Sequence, residues 1–261
     1  MKRILAALIA TACTFSLYAQ NQPQQQSQNT TSYKDFRFDL DVNYTRVYVK
    51  PQGHPTLDGN MGGMEGNFEY IPADFIYAAV GGSWRYGSID GKDSKRHLLD
   101  GEVYERIGYN ATFLNKRFLL TPFTGFGYRH LSHNFKRGVS LKMRYNEFYI
   151  PVGLLGRYNW DCASIGFFAI WMPQVYPTVT FDVTDGARWV TKATYKNFRV
   201  GLPILYHFQS VENLSIFLKP SFELWQDGKT TARTSSTRVA LGIPQNTYIF
   251  WEVGLGLEYK F

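Results

Sequence analysis

Histidine and aspartate side chains are the groups in this chain whose types could perform acid–base chemistry. Four histidines fall in or beside segments of loop composition: His54, His97, His130 and His133. Five aspartates fall in similar segments: Asp58, Asp90, Asp93, Asp182 and Asp185. A histidine held against a carboxylate can act as a general base that activates water. No motif places one of these histidines beside an aspartate, so hydrolysis is an alternative hypothesis rather than the main one.

Metal and redox chemistry have less support in the sequence. His130 and His133 are two ligands three residues apart, which is too few for a metal site. The chain has two cysteines, Cys13 and Cys162. Cys13 lies in a segment that we expect to be removed, so the mature chain has no partner with which Cys162 could form an intrachain disulfide. We therefore expect neither a metal nor any other cofactor.

The clearest pattern in the sequence is the alternation at its C-terminal end. One set of positions is apolar: Ile249, Trp251, Val253, Leu255, Leu257, Tyr259 and Phe261. The intervening positions are charged or bare: Glu252, Gly254, Gly256, Glu258 and Lys260. A period of two with such different faces predicts a β-strand that lies between two different solvents. A half-buried strand of a soluble β-sandwich is the alternative.

This terminal strand resembles the last strand of Gram-negative outer-membrane β-barrels. In those proteins a C-terminal aromatic residue after alternating apolar residues is the usual assembly signal. The resemblance implies that Leu257, Tyr259 and Phe261 are read by the barrel-assembly machinery. Residues 120–131, LTPFTGFGYRHL, are similar to a strand motif of uncharacterised proteobacterial outer-membrane barrels, with a layout like the OmpA transmembrane domain. These resemblances imply a fold and an outer-membrane location, but no activity.

The N-terminal residues predict export. Lys2 and Arg3 precede an apolar run that is too short to span a bilayer, which is typical of a secretory signal peptide over residues 1–19. Lipidation at Cys13 is the alternative. Residues 20–35 are rich in Gln and Asn and predict a disordered periplasmic leader. The remaining residues, 36–261, are assigned to the barrel.

Composition agrees with this class and excludes others. After the signal, no run of 18 apolar residues is present, which excludes a helical membrane protein. Aromatic residues make up 17% of the chain, and its formal net charge is +7. The basic residues are scattered, and an exported chain would not normally meet nucleic acid. Many of them fall in predicted loops, so the expected partners are outer-membrane lipids and lipopolysaccharide. The sequence does not identify an external ligand.

Ten strands are predicted, in an all-β, antiparallel, up-and-down transmembrane β-barrel, with eight strands as the alternative. They cover 36–49, 63–71, 75–86, 100–113, 117–131, 141–158, 163–181, 191–208, 214–226 and 247–261. Short connectors at 72–74, 114–116, 159–162 and 209–213 alternate with longer ones at 50–62, 87–98, 132–140, 182–190 and 227–246. Bacterial barrels show this alternation of short periplasmic turns and long extracellular loops. Prolines inside these strands, Pro122, Pro151, Pro173, Pro203 and Pro220, predict bulges or strand ends.

Charged side chains on the polar faces of these strands predict a filled lumen. We expect a network of Asp39, Asp41, Arg106, Arg129, Lys219, Glu223 and Glu252. In a narrow barrel such groups must pair across the lumen, because an unpaired charge away from bulk water is costly. The expected function is therefore structural or surface-interacting, with a narrow or plugged lumen. An omptin-like protease, a lipid A-modifying enzyme and a narrow channel are the alternatives.

Overall fold

The computed structural model describes residues 35–92, 94–136, 141–182, 188–230 and 242–261. The predicted signal peptide lies outside these residues, and so does the predicted leader except for Asp35. Every regular element of the described chain except a single 3₁₀ residue is a β-strand or a bridge. No helix in these ranges is long and apolar enough to cross a membrane.

The described residues form fifteen strands. They are β1 (Phe36–Pro51), β2 (Leu57–Tyr70), β3 (Ile76–Asp90), β4 (Lys95–Tyr109), β5 (Ala111–Phe113), β6 (Phe118–Phe135), β7 (Lys142–Tyr149), β8 (Val152–Asn159), β9 (Ala163–Trp171), β10 (Thr178–Phe181), β11 (Arg188–Val190), β12 (Phe198–Gly201), β13 (Ile204–His207), β14 (Leu214–Asp227) and β15 (Asn246–Lys260).

These strands close into a ring of ten positions. The order is β1, β2, β3, β4, β6, β8, β9, β12 with β13, β14 and β15, and β15 pairs with β1 to complete the ring. All pairings are antiparallel. The strands β7, β10 and β11 continue the sheet beyond this ring, and β5 extends it at the other end. The predicted ten-stranded barrel is therefore confirmed.

The alternation of the sequence decides which side chains face outward. Val42 is 62% exposed and Leu255 is 52% exposed, although both are large and apolar. Their neighbours Asp41 and Gly254 are buried inside the ring. Because the pleat sends successive side chains to opposite faces, the outer surface becomes an apolar belt and the charged residues enter the lumen.

Three of the five prolines lie where strands are interrupted. Pro151 separates β7 from β8, Pro173 follows β9, and Pro203 separates β12 from β13. Pro122 and Pro220 instead lie inside β6 and β14, so the expectation of a bulge or strand end was wrong for them.

The geometry of the neighbouring strands explains why these two prolines are tolerated. Pro220 lies beside the gap between β12 and β13, which leaves no regular partner for a missing N–H. Pro122 is next to the gap between β4 and β5 at Asn110. Proline has no amide hydrogen, so it removes fewer hydrogen bonds between strands at these positions than it would elsewhere.

The short turns lie where the sequence predicts them. Leu114, Asn115 and Lys116 all have positive φ angles, as does Asn213 before β14. Asp74 has a φ of 52°, and its carboxylate accepts hydrogen bonds from the backbone N and Oγ1 of Thr112, both at 2.8 Å. These bonds hold the pKa of Asp74 below its ordinary value. Short turns face the periplasm in bacterial barrels, and this end is named accordingly.

Two of the long connectors are shorter than predicted. The expected loop 50–62 is shorter because β1 continues to Pro51 and β2 begins at Leu57. The expected loop 87–98 is shorter because β3 continues to Asp90 and β4 begins at Lys95. The glycine-rich composition of the first segment favoured the prediction of a loop. A Cβ at Gly59 would overlap the carbonyl oxygen of Ser88, so this glycine marks a close approach of strands, not a loop.

An apolar core lies inside the ring, on the extracellular side of its centre. Its largest fully buried side chains include Tyr145, Tyr248, Phe250, Leu98 and Leu131. They come from β7, β15, β4 and β6, which lie on different sides of the ring. The interior is therefore packed at this level, as in other narrow barrels whose side chains fill the space.

Candidate functional site in the barrel lumen

The centre of the lumen holds a layer of paired charges, which we call the central layer. It contains three guanidinium groups, from Arg85, Arg129 and Arg199, and four carboxylates, from Asp100, Glu102, Glu223 and Glu252. All seven side chains are at most 9% exposed. Charges buried to this extent are stabilised only when they are paired and hydrogen-bonded.

Arg129 is the most enclosed member of the central layer. Its Nε and Nη2 donate to the two oxygens of Asp100 at 2.8 and 2.7 Å, and its Nη1 donates to Glu223. Its guanidinium carbon lies 4.3 Å from the ring centre of Trp225 and 5.2 Å from that of Phe250. The bidentate geometry and the aromatic faces hold this guanidinium in one orientation.

The other two arginines extend the layer across the lumen. Arg85 donates to Glu223 at 3.3 Å and to Glu252 at 3.1 Å, while Arg199 contacts Glu102 at 2.5 Å. The strands that carry these partners are three or four positions apart in the ring of ten: β3 and β15 are three apart, whereas β3 and β14 are four apart. Neighbouring strands could pair charges along a wall, but partners on strands this far apart must meet in the interior.

A second set of ion pairs lies nearer the periplasm. The ammonium of Lys219 contacts Asp41 at 2.5 Å and Glu65 at 3.1 Å. Arg157 on β8 donates to both oxygens of Glu258 on β15, at 2.7 and 2.8 Å. These contacts also connect strands that are not neighbours in the ring. These ion pairs therefore also cross the lumen, on the periplasmic side of the central layer.

On the extracellular side of the central layer, hydrogen bonds join histidine, tyrosine, amide and carboxyl side chains. His133 Nε2 lies 2.8 Å from the hydroxyl of Tyr248, which donates to Asp227 at 2.6 Å. Asn246 Nδ2 donates to the hydroxyl of Tyr145 at 3.0 Å. His133 and Tyr248 lie on β6 and β15, on opposite sides of the ring. The lumen is thus bridged at three levels.

The seven residues predicted for the lumen network occupy different parts of it. Arg129, Glu223 and Glu252 belong to the central layer, and Asp41 and Lys219 form a pair below it. Asp39 and Arg106 face the lumen, but the described residues give neither of them a salt-bridge partner within 4.0 Å. The structure therefore brings five of the seven into ion pairs and leaves two apart from them.

The seven residues predicted for the network omit four members of the central layer: Arg85, Asp100, Glu102 and Arg199. Arg85 lies at the end of the third predicted strand, and Asp100 is the first residue of the fourth. Asp100, Glu102 and Arg106 are separated by even numbers of residues on that strand, so they face the same side. The alternation that predicts an inward Arg106 therefore also predicts an inward Asp100 and Glu102.

The histidines singled out in the sequence form no ion pair with a carboxylate among the described residues. His133 is fully buried, where the sequence suggested an exposed loop or strand end. His130 Nδ1 lies 2.9 Å from Asn146, and His97 stacks on Tyr86. Within the described ranges no histidine forms an ion pair with a carboxylate, and no group of three or more potential ligands could hold a metal. Asp93 and Asp185 lie outside those ranges.

The predicted assembly residues lie at the closure of the ring. Leu257 and Tyr259 face outward and are 50% and 44% exposed. Phe261 exchanges backbone hydrogen bonds of 3.2 and 3.0 Å with Phe36, and the two rings stack at 5.9 Å. The end of the last strand therefore contacts the start of the first.

Solved structures with the same kind of fold match this chain, whereas no protein-family model and no curated protein sequence matches it. The outer-membrane protease OmpT of Escherichia coli has a TM-score of 0.55 at 14% identity, covering 90% of this chain and 99% of that chain. The translocator domain of the autotransporter NalP from Neisseria meningitidis has a TM-score of 0.47 at 10% identity, covering 100% and 98%. The attachment invasion locus protein Ail of Yersinia pestis has a TM-score of 0.36 at 11% identity, covering 86% and 99%.

The class of the protein follows from its fold and its outer surface. It has the closed, antiparallel, ten-stranded β-barrel fold of Gram-negative outer-membrane proteins, with charges inside and an apolar belt outside. At 14% identity the match to OmpT shows the fold alone. The fold implied by the terminal strand is confirmed, and the expected outer-membrane location agrees with it.

Proposed function

We propose that this protein is an integral outer-membrane barrel whose lumen is closed to ions and whose role is structural or surface-interacting. The observation that carries the proposal is the central layer. Its three arginines and four carboxylates come from β3, β4, β6, β12, β14 and β15, so they tie most of the ring together across the interior.

Electrostatics and packing both support a closed lumen. A hydrated ion crossing the centre would have to separate contacts such as Arg129–Asp100, in which both side chains are at most 1% exposed. Separating a buried pair costs several kcal/mol. The apolar core above this layer would then have to open as well. A rigid, filled barrel is suited to anchoring its extracellular connectors.

Conductance across planar bilayers tests the closed lumen. The wild-type protein should show no stable single-channel current. Replacing both partners in the double variant Arg129→Ala/Glu223→Ala removes a bridge without changing net charge, and should raise ion leakage. The matched control Arg46→Ala/Asp58→Ala removes a pair whose side chains are 39% and 45% exposed, and should leave leakage unchanged. Large, stable current through the wild type would contradict the proposal and favour a channel.

A basic extracellular end supports the surface-interacting role. Exposed cationic side chains at this end include Lys50, Lys92, Lys95, Lys136, Arg188, Lys192 and Lys229, whereas the described exposed acids there are Asp58, Asp90 and Asp182. An excess of positive charge attracts polyanions and concentrates them at the surface. We propose that the phosphate groups of lipopolysaccharide are the partner of this end.

Thermal unfolding in nanodiscs tests the lipid partner. Lipopolysaccharide should raise the midpoint relative to discs that contain dephosphorylated lipopolysaccharide, and added salt should reduce the difference. The triple variant Lys50→Gln/Lys95→Gln/Lys136→Gln should lose most of the effect. Lys116→Gln, in a periplasmic turn, is the control and should keep it. An identical midpoint in both lipids would contradict this partner.

A further inference from the structure

We propose that the periplasmic half of the lumen binds a small apolar amino acid, with Arg106 holding its carboxylate and Asp39 holding its ammonium group. This proposal goes beyond the closed barrel and does not depend on lipopolysaccharide binding. It rests on a cavity of about 140 Å³ that both side chains line.

The cavity is lined by both charged and apolar side chains. Strands β1 to β4 supply charged and polar ones, including Asp39, Asn67 and Arg106. The facing strands supply charged side chains as well, and also an apolar wall made of Leu119, Leu155, Phe168, Ile170, Leu205 and Phe217. Sites for small molecules commonly combine an apolar surface with a few placed polar groups. A ligand that pairs with charged groups and covers the apolar wall must therefore be amphipathic.

Arg106 differs from the other cations of the cavity. Arg37 pairs with Glu69, Arg157 with Glu258, Arg199 with Glu102, and Lys219 with Asp41. Arg106 has no carboxylate within 4.0 Å among the residues that the structure describes, and its Nε has no hydrogen-bond partner there. It is the cavity cation whose charge is left for a ligand.

Asp39 is the corresponding acid. The other carboxylates that line the cavity each contact a cation: Glu65 with Lys219, Glu69 with Arg37, Glu252 with Arg85, and Glu258 with Arg157. For Asp39 the described residues provide a 3.5 Å contact from the Asn67 amide and no ion pair. One cation and one carboxylate therefore face the same cavity without pairing with each other.

Aromatic rings and small residues hold Arg106 in this position. Its guanidinium carbon lies 4.0 Å from the ring centre of Tyr104 and 5.0 Å from that of Phe123. Across the strand pair, Ala79 faces Arg106 and Gly81 faces Tyr104. A Cβ at Gly81 would lie 2.6 Å from the Tyr104 hydroxyl, so glycine at this position leaves room for the ring.

A zwitterion satisfies both charges while adding no net charge to the lumen. A carboxylate can accept two hydrogen bonds from a guanidinium, and an ammonium group can donate to a carboxylate. The apolar side chain of the ligand would then cover the apolar wall. A cavity of about 150 Å³ can hold benzene, so a cavity of about 140 Å³ can enclose an apolar side chain as large as that of leucine. Because the central layer closes the other side, the ligand enters from the periplasm.

Calorimetric titration of the folded wild-type barrel in detergent tests the pairing of charges. The probes are L-leucine, 4-methylpentanoate, which lacks the ammonium group, and 3-methylbutylamine, which lacks the carboxylate. Because a charged hydrogen bond contributes about 1.5–3 kcal/mol, L-leucine should bind about 10- to 100-fold more tightly than either analogue. No heat of L-leucine binding, or equal affinity for all three probes, would overturn the proposal.

Two variants assign the charges to residues. Arg106→Gln should weaken L-leucine binding about as much as removal of the ligand's carboxylate, and should leave 3-methylbutylamine binding unchanged. Asp39→Asn should show the reverse selectivity. Lys116→Gln is the control. Heat-modifiable gel migration shows whether each variant is folded, and if one is not, the wild-type ligand series decides alone. A folded Arg106→Gln protein with unaltered leucine affinity would also overturn the proposal.

Discussion

Arg129→Met is the substitution that tests the central layer most directly. Methionine keeps an apolar chain of similar length against Trp225 but removes the guanidinium. Asp100 and Glu223 then each lose a charged partner. Arg85 still contacts both carboxylates, at 2.7 and 3.3 Å, so the layer is weakened and not dispersed.

The expected magnitude follows from burial. The side chain of Arg129 is 0% exposed, and those of Asp100 and Glu223 are 1% and 3% exposed. Removing one partner of a buried pair costs about 3–5 kcal/mol, because the remaining charge stays away from water. The lost contact with the aromatic faces acts in the same direction. We therefore expect the free energy of unfolding to fall by about 3–5 kcal/mol.

The assay is equilibrium urea unfolding of the barrel in lipid vesicles, with Arg46→Met as the control. Arg46 pairs with Asp58 near the extracellular end, and its side chain is 39% exposed. Such an exposed pair contributes about 0–1 kcal/mol. In a double-mutant cycle, Asp100→Asn should recover part of the loss in the Arg129→Met background, because it reduces the excess of buried carboxylates over arginines that the first substitution leaves. Equal destabilisation by Arg129→Met and Arg46→Met would refute the argument that the central layer is a buried, stabilising network.

Three further predictions concern the surface of the barrel. Leu255→Arg should destabilise it by about 2–4 kcal/mol if it faces the bilayer midplane, whereas Leu114→Arg in a periplasmic turn should be nearly neutral in the same unfolding titration. Deleting Phe261 should lower outer-membrane levels on quantitative blots more than Phe36→Ala does, since both disturb the same ring stack but only the deletion alters the C-terminus. The folded pKa of Asp74 is lowered, so its stabilisation is present above its ordinary pKa of 3.8 and is lost as the pH falls; the unfolding midpoints of wild type and Asp74→Asn should therefore converge in acid. Equal loss from both leucine variants, equal levels of both phenylalanine variants, or a pH-independent difference would contradict the respective prediction.

Alternation in the sequence was sufficient to predict the ring. In β15 each odd residue is outward and each even residue is inward, as the sequence indicated. This pattern is local, because it depends on the pleat of one strand and on the solvent at each face. The short turns were equally local, since they depend on residues such as Asn115 and Asn213 that tolerate positive φ.

Strand lengths were predicted less well because they depend on neighbouring strands. Gly59 was predicted to lie in a loop. In the barrel it lies in β2, where a Cβ would overlap a backbone carbonyl of β3. Only the paired strand shows that the missing side chain is needed for a close approach, so the loop interpretation was the natural error.

Which side chains form an ion pair depends on the stagger of the strands around the ring, and no single strand encodes this stagger. The alternation of its strand places Arg129 inside. Its contact with Glu223 depends on the stagger, because β6 and β14 lie four positions apart. A change of stagger would keep every inward residue inward and still exchange the partners. The same reasoning applies to Asp39 and Arg106. Sequence places both in the lumen, and only the closed ring shows that neighbouring charges are already paired and that these two face a cavity instead.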